Sequence, residues 1–237
     1  MIIFLKKWNI ILLAAVMFFV VGGTGFFLRQ EPELPVSAVP GQGKKIIIDA
    51  GHGEPDGGAV SDSGVLEKDL NLNVARFLQE YFEQSGVEVI MTRTDDNGLF
   101  DLGSRTIRQK KRSDLHERER LINESGANVC ISIHMNQFSD SRYSGPQVFY
   151  SPNHEDSKRL AQTIQAEMVS VLQPESVREI KKAGNDIYLL KKAKTPAVLI
   201  ECGFLSNKKE EKMLQDEDYQ KRIAWAIYCG TVTYFSE

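Results

Sequence analysis

Cysteine is scarce in this chain: Cys130, Cys202 and Cys229 are the only three among 237 residues, and none form a Cys-x-x-Cys pair. That excludes a disulfide framework and a cysteine-ligated zinc site. Cys130 and Cys202 lie in apolar runs, where a small buried thiol is the expected role. Excess positive charge is lacking as well, the formal net charge being −3. Residues 1–29 hold three of the 29 cationic side chains and none of the 32 acids, so the rest of the chain carries 26 cations against 32 acids. Such a balance excludes a nucleic-acid binder that works by neutralising phosphates. Internal repeats and low-complexity tracts are absent. With 42% hydrophobic and 26% charged residues, disorder and collagen-like classes are excluded too.

Long apolar runs are confined to one place. Lys6 and Lys7 precede a run from Trp8 to Leu28 that contains no charge, with Asn9 and Thr24 as its clearly polar members. About 20 apolar residues suffice to cross a bilayer as a helix, and lysines before the run favour an N-inside, C-outside orientation. The run reads as an uncleaved anchor or as a signal peptide, for which Gly22, Gly23 and Gly25 are the small residues a cleavage site requires. Either version puts the remainder outside the cytoplasm. Residues 29–44 carry Pro32, Pro35 and Pro40 without hydrophobic periodicity and read as a linker. The expected organisation is a membrane segment over 1–28, a Pro-rich linker over 29–44 and one domain over 45–237.

Within that domain, strands and helices alternate. Ile46-Ile47-Ile48 is a β-branched run that ends in Asp-Ala-Gly-His-Gly, the pattern of a buried strand entering a glycine loop. A helix is expected over Glu67–Gln84, where Leu66, Leu70, Val74, Phe77, Leu78, Tyr81 and Phe82 make one stripe. Gly86 is placed to end it. Further strands are expected at Val87–Thr92, Val129–Ile133, Gln147–Tyr150, Ile187–Leu190 and Ala197–Ile200. Asn97–Arg112 reads as a polar, basic loop. Helices are expected at Asp114–Glu124, at Glu155–Leu172 and from Lys208 to the end. This alternation implies a three-layer α/β domain with a largely parallel sheet.

In such folds catalysts gather beyond the carboxyl ends of the strands. Here the first strand ends at His52, the third at His134 and the last at Glu201, while Glu67 opens the first helix. Two histidines and a carboxylate are a catalytic zinc set that leaves a position open for water. A second glutamate can then carry a proton to the leaving nitrogen. Taken singly, the parts have ordinary explanations. His52 between glycines suits a turn, His134 suits a core strand, and Glu67 suits the first turn of a helix. Glu201 is more telling, because a carboxylate after four apolar residues is costly to bury unless it is paired or bound to metal. His116 and His154 lie in polar surroundings and read as surface residues.

At these residues the sequence resembles the zinc-dependent N-acetylmuramoyl-L-alanine amidases of the amidase-3 family. The resemblance rests on IIIDAGHG (46–53), LEKDLNLNVA (66–75), DLHERERLINESGANVCISIHMN (114–136) and TPAVLIECGFLSN (195–207), in the family's order. It implies His52, Glu67 and His134 as ligands of one zinc ion and Glu201 as the catalytic acid/base, with Asn136 and Arg118 in support. It also implies a three-layer αβα fold around a mixed, mostly parallel sheet of about six strands. The implied reaction is hydrolysis of the amide between the lactyl group of N-acetylmuramic acid and L-alanine of the peptidoglycan stem peptide. The short layout with a membrane segment is similar to the family members that endospore formers use in sporulation and germination. The sequence departs from the family at Glu54-Pro55, where a second glycine is usual, and in the basic stretch after Asn97.

Two other classes share these parts. A zinc carboxypeptidase-like enzyme needs a further cation for the substrate's terminal carboxylate, for which Arg105, Arg118 and Lys191 are the candidates. A non-catalytic wall-binding module would keep the fold without turnover. The basic stretch Arg105–Arg112 is either an anion grip for glycan or lipid headgroups or a solvated loop.

Overall fold

The structure, a computed structural model, describes residues 40–237. The expected membrane segment over 1–28 and most of the linker lie outside the described residues. Among the described residues no helix is long and apolar enough to cross a membrane.

Six strands form one sheet in the order β2-β1-β3-β6-β4-β5. They are β1 (Lys45–Ala50), β2 (Glu88–Met91), β3 (Val129–Asn136), β4 (Gln147–Tyr150), β5 (Lys181–Lys182) and β6 (Ala197–Phe204). The pairs β1–β2, β1–β3, β3–β6 and β4–β5 are parallel, while β4 runs antiparallel to β6. The helices are α1 (Glu67–Gln84), α2 (Ile107–Glu124), α3 (Asp156–Leu172), α4 (Tyr188–Lys192), α5 (Lys208–Leu214) and α6 (Glu217–Ser236). The sheet is therefore mixed and mostly parallel, with helices on both faces.

β1 shows why the isoleucine run forms a central strand. Ile46 and Ile48 pack into the core shared with α1, α3 and α6, whereas Ile47 packs on the other face with Ile122, Leu189 and Leu190. All three are fully buried, and each burial contributes about 1.5–3 kcal/mol. On α1, Leu70, Val74, Leu78 and Phe82 recur every four residues and are buried, as the stripe predicts. The helix ends at Ser85–Gly86, with Gly86 at φ +74. α3 and α6 cross closely at Gly230, where an added Cβ would lie 2.5 Å from Ile164 Cα.

Four boundaries differ from the sequence expectation. The basic stretch is helical: α2 starts at Ile107, not Asp114, because Thr106 accepts from Gln109 N while the Gln109 side chain accepts from Thr106 N, a capping box. Ile187–Leu190, expected as a strand, lies at the start of the short helix α4, and the sheet's edge is instead the two-residue β5. A short apolar run does not distinguish the two by periodicity. β3 and β6 both run further than expected, so Glu201 lies inside β6. Finally, Pro40–Lys44 turns against the domain, with Lys44 N bonded to Gly41 O at 2.9 Å and Gly41 close to Phe235, so this part of the linker is packed.

Candidate functional site

The carboxyl ends of β1 and β3 and the start of α1 converge on one point. β1 hands the chain to Gly51-His52-Gly53, where His52 takes the left-handed conformation, φ +61. Such a backbone is uncommon for a non-glycine residue and clusters at functional sites. Two glycines let the parts approach. A Cβ on Gly51 would meet the His134 ring at 2.4 Å, and one on Gly58 would meet Glu67 Oε2 at 2.5 Å.

Glu67 bridges the two rings. Its Oε1 lies 2.9 Å from His134 Nδ1 and its Oε2 lies 3.2 Å from His52 Nε2. The ring centroids are 5.0 Å apart and nearly perpendicular. One ligand atom from each of His52, Glu67 and His134 falls within 4.8 Å of the others, a group that could hold a metal ion. The glutamate is fixed by Ala59 N at 2.8 Å, Met135 N at 3.2 Å and Asn71 Nδ2 at 3.2 Å. Burial raises the pKa of Glu67, but the bonds to His134 and His52 outweigh it and hold the carboxyl well below its usual range.

His52 is oriented from behind. Asp56 Oδ2 lies 3.0 Å from its Nδ1, and Asp56 is itself bonded to Lys111 at 2.7 Å and to Gly58 N at 3.2 Å. Burial opposes charge on the ring, yet the bonds to Asp56 and Glu67 raise its pKa to about 9. Burial likewise disfavours charge on Asp56, but the bonds to His52 and Lys111 lower its pKa.

Glu201 faces His134 directly across the β3–β6 pairing. Its Oε2 is shut off from solvent and has no hydrogen-bond partner. Burial raises its pKa to about 7; His134 and His52 pull it down and the Glu67 charge pushes it up. A carboxyl near neutrality suits both giving and taking a proton. A pocket of about 150 Å³ beside the two histidines is lined by His52, His134, Asp56, Lys111, Leu115 and Leu189 among others. The donor set and the unpartnered buried oxygen fit a catalytic metal ion with a proton carrier beside it.

The amidase-3 family profile, described as N-acetylmuramoyl-L-alanine amidase, matches residues 46–232. The chain belongs to the amidase-3 family. It is 40% identical over 200 residues to the germination-specific N-acetylmuramoyl-L-alanine amidase of Bacillus subtilis, spanning 84% of this chain and 83% of that protein. The CwlD amidase of Clostridioides difficile, determined in complex with the GerS lipoprotein, superposes with a TM-score of 0.78 at 48% identity, covering 81% of this chain and 98% of that one. A second N-acetylmuramoyl-L-alanine amidase from Clostridium difficile 630 gives 0.71 at 33% identity, over 82% and 97% of the two chains.

Around this amidase-3 site lies a cationic scaffold that the sequence only half disclosed. Arg118, 1% exposed, donates to Asp49 at 2.6 Å, to Asp114 at 2.7 Å, to the Ala50 carbonyl at 2.8 Å and to the His52 carbonyl. Arg93 holds the carbonyls of Ala50 at 2.9 Å and Gly51 at 3.0 Å. Two guanidinium groups thus fix the three carbonyls on which the His52 turn is built. The expected support by Arg118 is seen. With its donors so engaged, Arg118 is not free to clamp a substrate carboxylate as the peptidase reading requires. Asn136 contributes its backbone carbonyl, bonded to Leu205 N at 2.7 Å, and no side-chain bond is seen among the described residues. His116 and His154 stand apart from the site. His116 is exposed and bonded to Tyr188, and half-buried His154 accepts from Asp156 N at 3.3 Å. Asp49, Asp56, Asn71 and Arg93 were not singled out in the sequence, though the GHGEPDG run placed an acid four residues after His52.

Proposed function

We propose that the domain hydrolyses the amide between N-acetylmuramic acid and the L-alanine of the stem peptide, with His52, Glu67 and His134 holding zinc and Glu201 carrying the proton. The observation that supports this reading best is the register pairing of Glu201 with His134. It sets a near-neutral carboxyl, one oxygen unpartnered, beside a three-residue cluster with metal-ligand chemistry. Bound there, zinc supplies Lewis acidity toward the scissile carbonyl and toward water. The chain does the rest. Glu67 joins the two histidines, Asp56 fixes the His52 ring, and Glu201 takes the proton from the attacking water and returns it to the leaving nitrogen of L-alanine.

The setting we propose is extracytoplasmic, with residues 1–28 as anchor or signal, 29–44 as tether and 45–237 as the catalytic domain. Similarity to a germination-specific amidase supports a role in the spore cortex. Similarity to an amidase determined with a lipoprotein makes a protein partner part of the proposal.

The test is digestion of purified peptidoglycan by the full chain, with and without chelator, alongside metal analysis. We expect about one zinc per chain and peptides that begin at L-alanine, leaving the glycan intact. Glu201→Gln should retain the metal and lose about 10²–10⁴-fold in kcat. Released single amino acids would mean a peptidase, and a fully active Glu201→Gln would remove Glu201 from the mechanism.

A further inference from the structure

The basic stretch is not absorbed by the catalytic reading, and its placement gives it a task. Two stripes of α2 and its lead-in face two adjoining cavities. Lys111, Leu115 and Arg118 line the catalytic pocket. Arg105, Gln109, Arg112 and His116 line a neighbouring polar cavity of about 660 Å³. Residues 111 and 112, like 115 and 116, are chain neighbours with Cα atoms about 3.8 Å apart, so one helix is the shared wall.

The cations in the two stripes differ in engagement. Lys111 is paired with Asp56, and Lys110 lies 4.5 Å over the Phe100 ring. Arg105 and Arg112 are exposed and have no acidic partner among the described residues. The acid that shares their cavity, Asp101, is bonded to Gly103 N at 2.9 Å. His116 is bonded to the Tyr188 hydroxyl, 3.0 Å from its Nδ1. Two guanidinium forks beside a hollow lined by polar side chains match a carboxylate ligand, which arginine binds bidentately.

Resting on the amidase reading, the proposed substrate has charge on one side only. The glycan side is N-acetylated sugar whose lactyl carboxyl is consumed in the scissile amide, so it is neutral. Free carboxylates belong to the stem peptide beyond L-alanine. Beyond the carboxyl ends of β3 and β6, a cavity of about 480 Å³ is lined by Gln137, Phe138, Ser139, Ser141 and Ser206 with Asp62, and no cation. Hydroxyls, an amide and an aromatic ring suit a neutral sugar.

We propose that the Arg105–Arg112 cavity is the subsite for an anionic peptide, binding the first free carboxylate beyond L-alanine and thereby setting which way the substrate lies across the metal ligands. The basic helix then selects acidic stem peptides over amidated ones.

The test uses the full chain in detergent and two synthetic muramoyl peptides that differ only in a free or amidated carboxylate at the residue after L-alanine. Equilibrium binding is measured separately from cleavage. The wild type should bind the acidic peptide about tenfold more tightly, and the preference should shrink between about 0.05 and 0.5 M salt. The double variant Arg105→Gln/Arg112→Gln should lose it, whereas Arg108→Gln, an exposed cation of the same helix outside the cavity, should keep it. Equal binding of both peptides by the wild type overturns the proposal, as does a preference that survives the double variant or vanishes equally in Arg108→Gln. Cleavage of neither peptide by the wild type would count against the amidase reading alone, since binding still decides the subsite.

Discussion

At the scale of single residues, the side chains behind the His52–Glu67–His134 cluster fix its geometry. Asp56 fixes the His52 ring from the nitrogen that faces away from Glu67. We expect Asp56→Asn to weaken zinc binding about 10–100-fold, measured by competition with a chromophoric chelator. Unchanged affinity would show that the turn alone orients the ring. Asp49 bears on stability. Its carboxylate accepts from Arg118, from Ser132 at 2.6 Å and from Thr92 at 2.9 Å. Burial works against its charge, but Arg118 and Ser132 outweigh that and lower its pKa from 3.8 to about 2. A lowered carboxyl stabilises the fold fully above its unfolded pKa, and the effect fades as pH falls through the folded value. About 2 kcal/mol should therefore be lost between about pH 4 and pH 2 in denaturant titrations. That increment should be missing from the pH dependence of Asp49→Asn. The two histidines and Glu201 stood out in the sequence because polar residues that follow apolar runs are conspicuous, although His134 and Glu201 lie inside β3 and β6. Asp49 and Arg93 were not, because an acid and a base 44 positions apart acquire meaning only when β1 and β2 lie side by side.

At the scale of elements, α1 was legible to the residue because its apolar stripe and terminal glycine agree. The start of α2 is hidden in the sequence because the first turns carry little apolar periodicity, and a Thr-Gln cap is a quieter signal than charge. α4 and β5 were unreadable for a different reason: five and two residues are too few for any period to show. The α3–α6 crossing was also invisible, since nothing local marks Gly230 as a contact point. There the backbone of α3 occupies the space a side chain would need, with Ile164 N at 2.8 Å from an added Cβ. Gly230→Ala should cost about 1–3 kcal/mol despite the helix preference for alanine. Urea unfolding checks this, and a stabilised variant would mean that the two helices can slide apart freely.

At the scale of the whole molecule, the His52–Glu67–His134 cluster ties together the loop after β1, α1 and β3, elements otherwise joined by the sheet and one core. Zinc at about 100 times its Kd should stabilise the fold by about 2.7 kcal/mol. For a domain of this size that raises Tm by roughly 5–10 °C, an increase that chelator should abolish in a thermal melt. Identical melting with and without the ion would place the metal elsewhere. The topology has one further consequence. Because Glu201 and His134 are partners in a hydrogen-bonded ladder, their separation is fixed by the spacing of two strands, about 4.8 Å, and rotamers only fine-tune it. Removing one residue from the early part of β6 would turn Cys202 toward the histidines and bring Glu201 into the oily layer beneath α1. The same error would wreck the core and the chemistry together. A single-residue gap in β3 or β6 is therefore the change this centre tolerates least.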